Sequence, residues 1–170
     1  MVKTGCRNFY PIIDYYATEI YIARNIDWPE GNFALWRSRG MSDRSYEDGK
    51  WRWMVFDVNT DSLRGGLADH DTLAYVLEEC PMFENLSRNS KFRSTFSERI
   101  REIRDTVFEE SLVNGKIDDY KALMTEPMEK YLYRFFNIDG EKYSDARRDM
   151  RAFISRRPEY IDTMLKQNGF

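Results

Sequence analysis

The segment NIDWPEGN, residues 25–32, carries a carboxylate at Asp27 and an amide at Asn32, separated by Pro29 and Gly31. On a helix, two side chains five residues apart would project roughly 140° from one another, too far round the axis to serve one site. Pro29 and Gly31 argue instead for a loop. In a loop both groups can turn into one cleft. There the carboxylate accepts a proton from a hydroxyl and the amide oxygen ligates a hard cation. A second acid, Asp57, closes the aromatic run KWRWMVF and would bring a further cation ligand if the chain folded back.

The flanking elements decide whether it does. From Phe9 to Ile26 the apolar residues Ile12, Ile13, Tyr16, Ile20 and Ala23 recur at helical spacing, with Pro11 suited to a first turn. This predicts a core helix ending just before Asp27. The runs NFALWR and KWRWMVFDV, joined by the polar SRGMSDRSYEDG, read as a β-hairpin with a long loop. Alternation puts Trp51, Trp53, Val55 and Asp57 on one face of the second strand and Arg52, Met54 and Phe56 on the other. Both faces are largely apolar, as in a strand covered on both sides.

The remainder reads as helices. Asp69 or Asp71 can cap a short one through Glu79, and His70 would begin it at the surface. Asn89 or Ser90 can cap a long one with Phe92, Phe96, Ile100, Ile103 and Val107 on one face. Pro127 should divide the segment 117–136 into two helices, with Tyr131, Leu132, Phe135 and Phe136 buried on the second. A helical pair over 144–168 is split at Pro158 and closed by Gly169. The expected fold is one domain, 1–170: mainly α (α+β), a helical bundle with a small β-hairpin.

Composition sets outer limits. Of 170 residues, 42% are hydrophobic and 15% aromatic, which requires a packed core. A net charge of -3 with interleaved signs leaves no footprint for nucleic acid. The basic run RRDMRAFISRR is expected on a solvated helix face. No apolar run reaches the eighteen or so residues of a membrane span. Cys6, Cys80 and His70 are too few for a Cys/His zinc site. Trp28, Trp36, Trp51 and Trp53 are expected to serve core and hairpin packing.

Together the motifs resemble one family, the CotH kinases, atypical protein kinases similar to spore coat protein H. The resemblance rests on IIDYYATEIYIARNIDWPEGN, on DGKWRWMVFDVN, on FENLSRNSKFRSTFSERIREI and on MRAFISRRPEYIDTML, and covers nearly the whole chain. It implies the C-terminal lobe of a protein kinase transferring the ATP γ-phosphoryl to Ser or Thr of a protein substrate. Asp27 would be the catalytic-loop aspartate that orients or deprotonates the hydroxyl. Asn32 and Asp57 would bind the ATP-bound Mg²⁺ (or Mn²⁺), and Asn59 would touch metal through water. A cell-surface, extracellular or spore-coat setting follows from the same resemblance.

The chain departs from a complete kinase in two ways. Asn59 stands where a D-F-G motif has its glycine, and the eight residues before Phe9 hold no glycine-rich loop or strand-borne lysine. The implied partner is therefore a missing N-terminal, ATP-clamping lobe, without which this lobe would be inactive. The competing expectation is a non-catalytic, kinase-like scaffold domain. In that case Asp27 belongs to an Asx-type turn and Asp57 caps the next turn through Thr60 or Asp61.

Overall fold

The computed structural model describes residues 10–58, 62–136 and 140–170; Asn59, Thr60, Asp61 and Cys6 lie outside them. Among the described residues, helix α1 (Tyr10–Tyr21) leads into a two-stranded antiparallel sheet, β1 (Ala34–Trp36) and β2 (Arg52–Met54). Six helices follow: α2 (Thr72–Glu79), α3 (Pro81–Ser87), α4 (Ser90–Thr106), α5 (Glu110–Phe136), α6 (Gly140–Arg156) and α7 (Pro158–Gln167). The expected order of helix, hairpin and helical bundle holds. α3 is an addition to it, started by Pro81 at its first turn.

The core is built around α1. Ile12, Ile13, Tyr15, Tyr16, Ala17, Ile20 and Tyr21 are all buried, because α1 has α4, α2 and β2 packed on different sides. Against it stand Phe83, Phe92, Phe96, Ile100 and Ile103, with Ile161, Met164 and Leu165 of α7. Phe170 stacks on Phe83 at 6.2 Å. Asp71 caps α2 by accepting from Ala74 N–H, and Asn89 caps α4 by accepting from Lys91 and Phe92 N–H.

α1 ends five residues earlier than its apolar pattern suggests. Ala23 N–H bonds the Ile20 carbonyl and Arg24 N–H the Glu19 carbonyl, both at 3.2 Å. This is a Schellman closure with Ala23 in the left-handed region at φ 60°. The apolar residues beyond it, Ile22 and Ala23, are buried as turn rather than as helix.

Four other expectations fail for identifiable reasons. The β2 strand is not covered on both sides: Trp51, Met54, Val55 and Phe56 are exposed, and on the face that carries Trp51, Trp53, Val55 and Asp57 only Trp53 reaches the core. Pro127 does not divide α5, which runs unbroken through it. Its missing N–H frees a carbonyl in a stretch exposed to water, where that group can be solvated. Tyr131, Phe135 and Phe136 are exposed because α6 is the layer against α5, and Ile117 is its one buried residue. Val107, just beyond α4, is exposed as well.

The basic run does not simply decorate a solvated face. Arg157 is fully buried between α6 and α7. It donates to the carbonyls of Ile20 (2.7 Å), Tyr21 (3.0 Å), Ala68 (3.0 Å) and His70 (2.7 Å). A cation at the open carbonyl end of α1 also meets the negative end of the helix dipole. His70 is half-buried rather than a surface residue, and burial, then the Arg157 charge, holds its pKa below the ordinary value.

Candidate functional site

The loop after α1 is held by two close contacts, at Trp28 and at Gly31. Trp28 is buried, and its indole Nε1 donates to the Tyr15 hydroxyl at 2.8 Å. Burial, then the nearby Glu19 carboxylate, pushes the Tyr15 pKa well above its usual value, so the hydroxyl stays neutral beneath the loop. The Trp28–Pro29 peptide is cis. Gly31 packs so closely that a Cβ there would lie 2.8 Å from the Asp27 carbonyl oxygen. Ahead of the loop, Arg24 is fully buried, ion-paired with Glu19 at 3.6 Å, and its Nη1 donates to the Phe56 carbonyl at 2.9 Å.

That last bond ties the loop to the end of the hairpin. Antiparallel pairing in the register Ala34↔Met54, Leu35↔Trp53 and Trp36↔Arg52 returns the chain to where it left the loop. As a result Asn32 and Asp57, 25 residues apart, meet: Asn32 Nδ2 donates to Asp57 Oδ2 at 3.1 Å. Both residues are left-handed, Asn32 at φ 48° and Asp57 at φ 53°. Asn and Asp tolerate that region better than most side chains, and such residues concentrate where geometry serves a site.

Asp27 lies on the same loop and is exposed. Its carboxylate takes no part in the Asn32–Asp57 bond. Asn59 falls outside the described residues. Among the described residues no group of three or more His, Cys, Asp or Glu side chains is placed to hold a metal.

The CotH kinase protein family model matches residues 9–161. The chain belongs to that family. No curated protein and no solved structure matches it. The matched span contains Asp27, Asn32 and Asp57, and also Arg24, Trp28 and Arg157. Family membership carries an atypical kinase-like function and, with it, nucleotide use in general.

The donor set suits a hard cation shared with a nucleotide. Mg²⁺ keeps most of its waters and takes one or two protein oxygens plus substrate phosphates, so one carboxylate and one amide on an exposed face are a sufficient protein contribution. The observed bond uses the Asn32 amide nitrogen, not its amide oxygen.

Arg24 and Glu19 carry the most of what the sequence reading missed. Their signal is present but weak: a glutamate and an arginine in the otherwise apolar stretch EIYIAR, where each needs a partner if buried. Arg157 gives no comparable signal, since it sits among other basic residues.

Of the hairpin tryptophans, Trp53 packs against the core as expected, and Trp36 and Trp51 pack within the hairpin itself. Trp36 and Trp51 are exposed, and arginines lie over their rings: Arg37 4.9 Å from the Trp51 centroid and Arg52 5.3 Å from that of Trp36.

Proposed function

We propose that this chain works as the C-terminal, metal- and substrate-binding lobe of a CotH-type protein kinase, with residues 1–170 as one domain. The observation that carries the reading is the direct approach of Asn32 to Asp57 beside a loop that presents Asp27. Asn32 and Asp57 would hold Mg²⁺ or Mn²⁺ against the β- and γ-phosphates of ATP. When bound, the cation neutralises charge on the transferred phosphoryl group.

Asp27 would orient the Ser or Thr hydroxyl of a protein substrate and accept its proton. The hydroxyl oxygen bonds to the γ-phosphorus as the bridging P–O bond breaks, and ADP leaves with that electron pair. Trp28 and Gly31 keep the loop backbone rigid, so the distance between Asp27 and Asn32 is set before substrate arrives.

The test joins the chain to an ATP-clamping lobe of the same family and measures labelled phosphate transfer to Ser/Thr peptides with Mg²⁺ or Mn²⁺. Asp27→Ala should lower the rate about 10²- to 10⁴-fold, the range for loss of a general base. Asp57→Ala should abolish metal-dependent nucleotide binding. Unchanged rates in both variants would defeat the proposal.

A second reading, a non-catalytic scaffold in a cell-surface or spore-coat assembly, draws support from the exposed aromatic hairpin. It predicts that Trp36→Ala and Trp51→Ala impair assembly, whereas Asp27→Ala and Asp57→Ala do not.

A further inference from the structure

We infer that Arg24 is a positioning residue for the Asn32–Asp57 pair, and that Glu19 is the counter-charge that lets it be buried; its link to metal rests on the function proposed above. Arg24 is fully buried at the start of the loop. Its own N–H closes the end of α1 on the Glu19 carbonyl at 3.2 Å. Its guanidinium faces the Glu19 carboxylate at 3.6 Å and donates from Nη1 to the Phe56 carbonyl at 2.9 Å.

The Phe56 carbonyl belongs to the peptide group that joins Phe56 to Asp57. Arg24 therefore grips the plane from which the Asp57 backbone departs, and that backbone departs at φ 53°. A left-handed residue turns its side chain to a different side from an extended one, so the orientation of this plane decides where the carboxylate goes. It goes to Asn32, at 3.1 Å. The loop thus holds Asp57 at two points: the main chain through Arg24 and the side chain through Asn32.

The residue types suit these tasks. A planar guanidinium has several N–H donors in fixed directions, so one face can meet Glu19 while another meets a carbonyl. A buried arginine without a counter-charge would be strongly disfavoured, and Glu19, itself fully buried, supplies one. Removing a group that orients a metal ligand typically weakens metal affinity 10- to 100-fold.

The experiment follows the ¹⁵N side-chain amide resonance of Asn32 and the Mn²⁺ affinity in the presence of ATP, measured by electron paramagnetic resonance, with circular dichroism as the check on folding. Asp57→Ala supplies the reference in which the Asn32 amide has lost its acceptor. Arg24→Met is expected to move the Asn32 resonance toward that reference and to weaken Mn²⁺ binding 10- to 100-fold. Arg24→Lys, which keeps a charge and a donor, should recover part of both.

An Arg24→Met protein that is less stable but keeps the wild-type Asn32 resonance overturns the inference, because a merely structural residue would behave that way. If Arg24→Met fails to fold, Arg24→Lys and Glu19→Gln are read by the same two signals. Should Asp57→Ala leave Mn²⁺ binding intact, the metal reading fails, and the Asn32 resonance still decides the role of Arg24.

Discussion

Replacing Arg157 by methionine should lower stability by about 3 kcal/mol, a figure that follows from its four acceptors. Two of them keep another donor: the Ile20 carbonyl still accepts from Ala23 N–H, and the His70 carbonyl from Thr72 N–H. Losing one bond of two there costs about 0.5–1.5 kcal/mol each. The Tyr21 and Ala68 carbonyls have no second donor among the described residues, and a buried acceptor left unpaired costs about 1–3 kcal/mol. The gross loss is then about 3–9 kcal/mol. Against it, methionine escapes the burial of a charge. Burial pulls the Arg157 pKa down to about 10, which at about 1.4 kcal/mol per tenfold corresponds to roughly 3 kcal/mol. From the middle of the range, about 3 kcal/mol remains. In a chain of this size that lowers Tm by about 6–12 °C. Urea unfolding at 25 °C followed by circular dichroism, with calorimetry for Tm, measures it. A loss under about 1 kcal/mol would mean that the freed carbonyls find water, and would refute the account of Arg157 as the closure of α1.

The same core sets the response to alkali. Burial raises the pKa values of Tyr15, Tyr16 and Tyr21, that of Tyr21 to about 12. Their stabilisation is complete below the ordinary tyrosine value near 10 and is lost as pH rises through the folded values, at about 1.4 kcal/mol per pH unit for each. Arg157, with its pKa depressed, acts in the opposite sense above about pH 10, so the three tyrosines should dominate. Alkaline unfolding with phenolate absorbance checks this, and an unchanged slope in Tyr21→Phe would contradict it. Gly65→Ala should cost about 1–3 kcal/mol by urea unfolding, since a Cβ there would lie 2.6 Å from Asp149 Oδ1 and 3.2 Å from Ala152 Cβ; a neutral result would mean that α6 shifts freely. Gly31→Ala should displace the Asn32 amide resonance, because its Cβ would meet the Asp27 carbonyl backbone rather than a flexible side-chain end.

Where burial on one face was the deciding force, the chain could be read directly. Phe92, Phe96, Ile100 and Ile103 repeat at helical spacing because one side of α4 meets α1. Asp71 and Asn89 are caps because a side-chain oxygen there has backbone N–H groups within reach. Periodicity failed where it could not say how many sides of an element are covered. The apolar residues of KWRWMVF and of Tyr131–Phe136 mark a strand and a helix correctly, yet many of them face water, because each element has too few layers packed on it. Asp27, Asn32 and Asp57 are legible in the sequence as groups that could share a cleft, and the hairpin brings Asn32 and Asp57 together.

What the sequence could not convey is the support beneath that site, and the reason is chemical. Arg24 bonds the Phe56 carbonyl and Arg157 bonds the carbonyls of Ile20, Tyr21, Ala68 and His70. A carbonyl is common to every residue, so its partner leaves no mark on the amino acid that carries it. A carboxylate facing a guanidinium can be sought as a pair of residue types; a guanidinium facing main chain cannot. Both arginines act at the end of α1, one closing the helix and the other joining its exit loop to Asp57. Only the partner of Arg24, the Phe56 carbonyl, adjoins the candidate site, so a substitution there should disturb Asn32 and Asp57 without touching either, whereas one at Arg157 should act on the stability of the fold.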